Sequence, residues 1–597
     1  MEPGQGTALF TAECSHSFHF NCITSYVKHG NQICPICRAQ WKDMPFHNPT
    51  TSDLSHGTEI NIINPVDWPQ VNAIPTILPR VPFRTNSFRH IIQTSEPSVF
   101  NDDDFVDPQP DFPSNNSIFK SIDIKTYPEV SAVQQSTSQE NFNILINLKA
   151  HVTSENHASN AHISRAPIDL VTVLDVSGSM TGTKIELLKR AMGFVIENLG
   201  SSDRLSVISF SSTAQRLFPL RRMTDSGREL ALQAVNRLRA GGETNILEGL
   251  RKGAKVIEDR RQKNLVCSIM LLSDGQDSYR NSTHLQQDLS LQIPVHTFGF
   301  GTDHDPVLLH SISESCMGTF SFIEAEGVIQ DAFAQCIGGL LSVVVQDLQV
   351  HVQAVHPDLR LGQIKAGSYD TRLINDNRAG FINVGDLYAD EERDFLVLVN
   401  VPAVGKDSSN ETNLVNVWCV YKDPFSKETM TTEVKEVKIH RPAIVEEEWV
   451  VVSIEVDRQR NRLQAAEAME EARAAAERSD LSSAWSILEN CRRVISETTS
   501  SRAGDQFSVA LDAELEEVRV RMANMRTYKS SGRAYALSGI SSHSRQRATT
   551  RGDSTEGTSL VHAYQTPSMF KMVNRSQMST HPIVRPPNSF TESNQSS

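Results

Sequence analysis

Between about residues 166 and 345 the apolar positions follow two alternating rhythms. Ile168-Asp-Leu-Val-Thr-Val-Leu174 is a nearly unbroken apolar run, the pattern of a strand buried on both faces. Helical spacing follows over 184–198, then a strand pattern over 205–210. Further helical patterns occupy 228–238 and 246–257, and further strand patterns 265–272 and 294–300. Alternation of this kind predicts an α/β, Rossmann-like domain: a parallel sheet covered by helices on both faces.

The flanking regions read differently. Residues 142–150 alternate apolar and polar positions, which predicts a lead-in strand within 131–165. Over 346–443, short alternating stretches such as Phe395-Leu-Val-Leu-Val-Asn-Val are separated by Asp, Asn and Gly turns, which predicts a small antiparallel β domain. Residues 444–528 are rich in Ala, Glu, Arg and Leu at helical spacing. A helical hairpin or short bundle is the preferred expectation there, and a coiled-coil homo-oligomer stays open. Residues 47–130 are Pro-, Asn-, Ser- and Asp-rich and read as a disordered linker that carries the acidic run Asn101-Asp-Asp-Asp104. Residues 529–597, rich in Ser, Thr, Arg and Gln, read as a disordered tail, suited to phosphorylation or plain solvation.

Composition narrows the function classes. The chain has 597 residues, 39% hydrophobic and 21% charged, with a formal net charge of -14, so a general nucleic-acid binder is not expected. The longest apolar stretch, 337–345, is too short to span a bilayer. The first residues, MEPGQGTALF, have neither a basic nor an apolar leader region, so a cytoplasmic or nuclear protein is expected rather than a secreted one. Four of the nine cysteines fall in the first 37 residues and the other five are scattered. That distribution suggests a local metal site and buried free thiols, not a disulfide framework.

The N-terminal cluster over 1–46 runs Cys14-x-His16-x-x-His19-x-x-Cys22, then Cys34-Pro35-Ile36-Cys37-Arg38. A Cys-x-x-Cys turn brings two thiolates onto one ion, and zinc takes four S or N ligands in a tetrahedron. In order and spacing these residues resemble the last six ligands of a RING-H2 finger; a zinc knuckle of another kind is the alternative. The resemblance implies one full zinc site of Cys14, His16, Cys34 and Cys37, with His19 and Cys22 as half of a second. The first Cys-x-x-Cys of a RING is not seen before Cys14, so the expectation is a partial RING whose chain begins inside the module. Ile36, Pro35 and Tyr26 would then contact a ubiquitin-conjugating enzyme, and Arg38 would bridge that enzyme and its ubiquitin. Outside a RING, such an arginine is a solvated charge.

A second constellation is lined by oxygen. Asp175-Val-Ser177-Gly-Ser179 follows the first strand pattern, Thr244 lies in Gly241-Gly-Glu-Thr-Asn245, and Asp274 follows the 265–272 strand. All lie at C-terminal ends of expected parallel strands, where open α/β sheets build their sites. Carboxylates and hydroxyls suit a hard cation, Mg²⁺ or Mn²⁺. The set resembles the metal-ion-dependent adhesion site of von Willebrand factor A domains over about 166–345. Asp277 and Glu243 are nearby acids, read as solvated loop charges.

Taken together, the modules resemble the plant wavy-growth family of RING-H2/von Willebrand factor A domain E3 ubiquitin-protein ligases. The resemblance implies a ligase that recruits a ubiquitin-conjugating enzyme carrying ubiquitin and holds a protein substrate or partner through its A domain, and a role in root growth direction. A non-catalytic scaffold is the alternative. A secreted protein like the inter-α-inhibitor heavy chains, whose A domain has similar neighbours, is argued against by the absent leader and sparse cysteines.

Overall fold

The computed structural model describes residues 9–11, 17–19, 96–106, 122–151, 165–279, 292–405, 410–552 and 563–580. It has two units, Met1–Gln93 and Thr94–Ser597. In the first, β1 (Leu9–Thr11) pairs antiparallel with β2 (Ser17–His19), Phe10 opposite Phe18.

The second unit opens with β3 (Ile122–Pro128) and β4 (Gln139–Ala150), which pair antiparallel. The α/β layer follows: β5 (Ile168–Asp175), α1 (Thr183–Asn198), β6 (Arg204–Phe210), β7 (Ala214–Arg222), α2 (Asp225–Asn236), α3 (Ile246–Asp259), β8 (Val266–Ser273), β9 (Val295–Phe300), α4 (Pro306–Ser315), β10 (Phe320–Ile323) and α5 (Ile329–Leu340). Strands β10-β9-β8-β5-β6 are parallel, and β7 closes one edge antiparallel. Every residue of β5 is buried, because both faces of the sheet are covered. Leu170, Leu174 and Phe298 pack with α1 and α5 on one face; Val171, Val173 and Ile269 pack with α3 and α4 on the other.

The chain then makes β11 (Val343–Ala354), β12 (Arg360–Lys365), β13 (Asp370–Ile374), β14 (Ala379–Tyr388), β15 (Glu392–Val401), β16 (Glu411–Lys422), β17 (Thr429–Thr431) and β18 (Lys435–His440). These form two sheets sharing one core. The expected lead-in strand belongs to them: β4 lies between β3 and β15, with Ile146 opposite Phe395. Phe142, Ile144, Ile146 and Leu148 face the sandwich core. Leu145, on the other face, packs against Val456 and Leu463.

The helical region is a bundle of α6 (Ile454–Glu477), α7 (Leu481–Ser496) and α8 (Gln506–Arg521). Ala465, Ala468, Ala472 and Ala476 leave the α6 surface flat enough for close approach by its neighbours. Asp480 and Asp505 cap the next two helices, accepting from Ser483 N and Ser508 N at 3.0 Å each. No helix among the described residues is long and apolar enough to cross a membrane. Among the described residues, Cys267, Cys316, Cys336, Cys419 and Cys491 are not joined in disulfides, as their scatter suggested.

Two expectations of disorder are overturned where residues are described. The tail builds α9 (Arg533–Arg545), β19 (Arg551–Gly552) and α10 (Pro567–Thr580). Ala534 and Leu537 of α9 enter the core on the α3/α4 face, β19 adds a parallel strand beside β10, and Met569 of α10 enters the α1/α5 face. Ser538, Ser541 and Ser542 are buried and bonded to Thr550 O, Phe320 N and Arg547 O, so in the fold they are neither solvated nor open to phosphorylation. Within the expected linker, β3 is a sandwich strand and residues 96–106 lie on the α/β layer, with Phe100 buried. Residues 47–95 and 107–121 lie outside the described residues.

The seat of α10 gives a sharp test. A Cβ on Gly338 of α5 would lie 2.9 Å from Met569 Cα and 3.0 Å from Ser568 O. Gly338→Ala is therefore expected to destabilise the chain by roughly 1–3 kcal/mol through overpacking. An undocked tail would instead let alanine stabilise the helix by about 1 kcal/mol. The sign of the shift in chemical denaturation decides between the two.

Candidate metal site at the sheet crevice

The chain leaves β5 toward β6 and β7 on one side, then returns to place β8 on the other. The loops after β5 and β8 therefore part and leave a crevice at the C-terminal strand ends. Asp175 is the last residue of β5, and Asp274 follows β8 directly. Gly178 N donates to Gly242 O at 2.9 Å and Gly241 N to Val176 O at 2.8 Å, tying the Thr244 loop to the loop after β5. Gly242 takes φ +89, a conformation that favours glycine.

All five predicted oxygen donors converge here. Ser177 N donates to Asp175 Oδ1 at 2.8 Å, the Ser177 and Ser179 hydroxyls lie 3.0 Å apart, and Ser179 Oγ donates to Asp274 Oδ1 at 2.6 Å. Thr244 closes the ring from the α3 side: a Cβ at Gly275 would lie 2.9 Å from its Oγ1 and 3.5 Å from Ser179 Oγ. Glycine at 275 thus keeps the space between the hydroxyls open.

Asp175 is fully buried and takes hydrogen bonds from Ser177 N and from Ser273 Oγ at 2.5 Å. Burial pushes its carboxyl up to about 6, outweighing the bonds from Ser177 and Ser273 that favour the charged form. A buried carboxylate lacking charge compensation beside three hydroxyls and a second carboxylate fits a hard divalent cation. Asp175, Ser177, Ser179, Thr244 and Asp274 are the residues that would hold it.

Sequence reasoning missed two neighbours. Lys184, on the first turn of α1, places Nζ 2.5 Å from Asp274 Oδ2. Ser273 holds Asp175. A lysine five residues after Ser179 at a helix start was the available signal for the first. Asp277 also departs from its reading as a solvated charge. It is buried, and its Oδ1 accepts from Ile246 N at 3.3 Å, at the N-terminus of α3. The Asn245-x-x-Glu248 capping pattern marked that helix start. Glu243 is exposed, as read.

Of the zinc-module residues, His19 ends β2. Cys14, His16, Cys22, Tyr26, Cys34, Pro35, Ile36, Cys37 and Arg38 lie outside the described residues.

Residues 169–335 match the von Willebrand factor type A domain, 2–38 the RING-H2 zinc finger domain, and 505–578 the family described as VWA / Hh protein intein-like. The chain is 33% identical over 571 residues to "E3 ubiquitin-protein ligase WAV3" of Arabidopsis thaliana, covering 89% of this chain and 74% of that protein. It is 31% identical over 547 residues to "Probable E3 ubiquitin-protein ligase WAVH2" of the same plant, covering 87% and 71%. Among solved structures, "von Willebrand factor type A from Catenulispora acidiphila" matches with TM-score 0.56 at 19% identity, covering 72% of this chain and 98% of that one, which bears on fold alone. Identity of this extent, with the RING-H2 and A-domain matches in the same chain, places the protein in the WAV3-like RING/von Willebrand factor A family of E3 ubiquitin-protein ligases.

Proposed function

We propose that this chain is a RING-type E3 ubiquitin-protein ligase whose A domain presents the protein to be modified. The observation that carries the reading is the alignment with ligase relatives across both modules. The N-terminal module binds zinc through Cys14, His16, Cys34 and Cys37, with His19 and Cys22 at the second position, and docks a ubiquitin-charged conjugating enzyme. Arg38 orients the thioester-linked ubiquitin, with Pro35, Ile36 and Tyr26 at the contact. No side chain of the ligase acts as nucleophile; the acceptor lysine attacks the thioester directly.

The crevice at the end of β5 holds the partner. Asp175 and Asp274 would hold a divalent cation there, with the hydroxyls of Ser177, Ser179 and Thr244 adding donors without adding charge, and such an ion would supply an electrophilic position for a carboxylate of the partner. Holding substrate and conjugating enzyme on one chain raises their effective concentration.

The test is ubiquitin discharge and autoubiquitination with purified activating and conjugating enzymes. Cys34→Ser is expected to abolish both by removing a ligand on which the zinc module's folding depends. Arg38→Ala is expected to reduce discharge by about tenfold or more while zinc content stays unchanged, as for loss of a group that orients the reacting bond. A wild-type chain that leaves the thioester untouched in the presence of bound zinc sinks the ligase reading and leaves a scaffold that binds partners through the A domain.

A further inference from the structure

Residues 96–106 lie along the α/β layer as a docked peptide does, held through side chains. Phe100 is buried with Arg216 above its ring, 4.1 Å from the centroid, and Lys255 at 5.6 Å. Asp102 receives both terminal nitrogens of Arg216, at 2.6 and 2.8 Å. Asp103 accepts from Arg204 Nη1 at 3.0 Å and from the amides of Arg261 and Gln262 at 3.0 and 3.3 Å. Asp104 accepts from Arg221 Nη1 at 2.7 Å and from Arg222 N at 3.0 Å. Glu96 takes Lys252 Nζ at 2.5 Å and Arg216 N at 2.8 Å. Backbone meets backbone where Asp104 N donates to Leu220 O, 2.9 Å.

The receiving groove stands without this segment. Arg204 is fixed by its own domain: Nε and Nη2 each lie 2.7 Å from a different oxygen of Asp169, and Nη2 also donates to Gln262 O at 2.7 Å. Arg260 and Asn264 hold the same Asp169. Removing residues 96–106 would thus leave a buried arginine still paired, beside Arg216, Arg221 and Lys252 with their carboxylate partners gone. Bidentate arginine pairs select planar carboxylates, so the groove reads a sequence. It runs along the β7 edge from Arg204 and Asp169, at the N-terminal ends of their strands, to Arg216, opposite Ile208 in the C-terminal half of β6.

We propose that this basic groove is a peptide-docking site of the A domain. It takes a protein segment with an acidic residue, then an aromatic residue four positions on, then three consecutive acids from two positions after the aromatic. Residues Glu96, Phe100 and Asp102 to Asp104 fill it in cis, and a partner carrying that pattern enters by exchange. The site does not depend on the ligase reading or on a metal ion. A tethered copy competes at an effective concentration on the order of mM, so partners reach the groove fully only when the internal segment is weakened.

The experiment uses the full chain and a labelled synthetic peptide of sequence 94–107. A Phe100→Ala/Asp102→Asn chain is expected to bind the peptide about tenfold or more tightly than the wild type, as for release of a tethered competitor. Adding Arg216→Ala and Lys252→Ala should abolish that binding, as should amidating the peptide's acids. A folded double variant that binds no better than wild type, or binding that survives the groove substitutions, overturns the proposal. Should the double variant fail to fold, hydrogen exchange on the unmodified chain decides. The amides of Arg261 and Gln262, which face Asp103, should exchange about a hundredfold or more faster than those of β8, as for local release rather than global unfolding. Equal protection means a permanently packed segment and overturns the proposal too.

Discussion

Glu391→Ala is expected to cost the most stability of any single substitution considered, about 3–5 kcal/mol, as for breaking a buried ion pair from one side. Glu391 is buried at the junction of the β sandwich, the α/β layer and the C-terminal region. Arg547 donates to both of its oxygens, at 2.8 and 3.0 Å, Arg393 lies 2.7 Å from one of them, and Tyr388 N donates to the other at 2.9 Å. Burial alone would raise this carboxyl; the two guanidinium groups outweigh it and hold the group down at about 2. The drop from its ordinary 4.5 to about 2 corresponds to about 3 kcal/mol, in line with the mutational expectation. Because the folded value is depressed, this stability is present above about pH 4.5 and is lost as pH falls toward 2. Alanine leaves two buried arginines facing each other. Arg547→Met should cost less, since Glu391 keeps Arg393 and the methionine refills the volume. Urea denaturation of the three chains at neutral pH checks the order. If Glu391→Ala unfolds at the wild-type midpoint, the C-terminal region does not close over this charge.

That junction also shows where the sequence was legible. The parallel sheet could be read because β5, β6 and β8 are buried on both faces and must be apolar nearly throughout. The oxygen site could be read because Asp175, Ser177, Ser179 and Asp274 end or follow β5 and β8 directly; Thr244 instead comes from the loop between α2 and α3, not from a strand end. The tail could not. Its α9 sits against the sheet through small residues, Ala534, Ser538 and Ser541, which look like linker composition. Its polar side chains are satisfied by partners far away in sequence: Arg547 by Glu391, and Arg551 and His543 by Glu514. Residues 96–106 hide for the same reason. Their acids look solvated until Arg204, 101 residues beyond Asp103, is brought beside them. The alternation of β4 foretold a strand, but its neighbour β15 lies past the whole α/β layer, so membership of the sandwich was not locally encoded. Lys184 reads as one more polar residue on a helix until the fold sets it against Asp274.

Asp175→Asn is expected to move stability and metal affinity in opposite directions. In chelator, the wild-type chain carries a buried carboxyl raised from 3.8 to about 6, chiefly by desolvation. A raised carboxyl favours folding below about pH 4, where it is protonated in both states, and that contribution is lost as pH rises through 6. At pH 8 the cost approaches about 3 kcal/mol. Asparagine keeps the shape and one acceptor for Ser177 N or Ser273 Oγ without the charge. The variant should therefore be more stable than wild type at pH 8 by up to about 3 kcal/mol, and close to it at pH 4. In the same chain, affinity for Mn²⁺ or Mg²⁺ should fall roughly hundredfold or more, since a hard cation loses one of its two carboxylates. Asp274→Asn should also lose metal but gain no such stability, because it removes the partner of Lys184. Urea melts in chelator at the two pH values, paired with calorimetric titration of Mn²⁺, separate the cases. Unchanged stability at pH 8 would show that Asp175 is already neutralised without metal, and retained affinity would place the ion elsewhere.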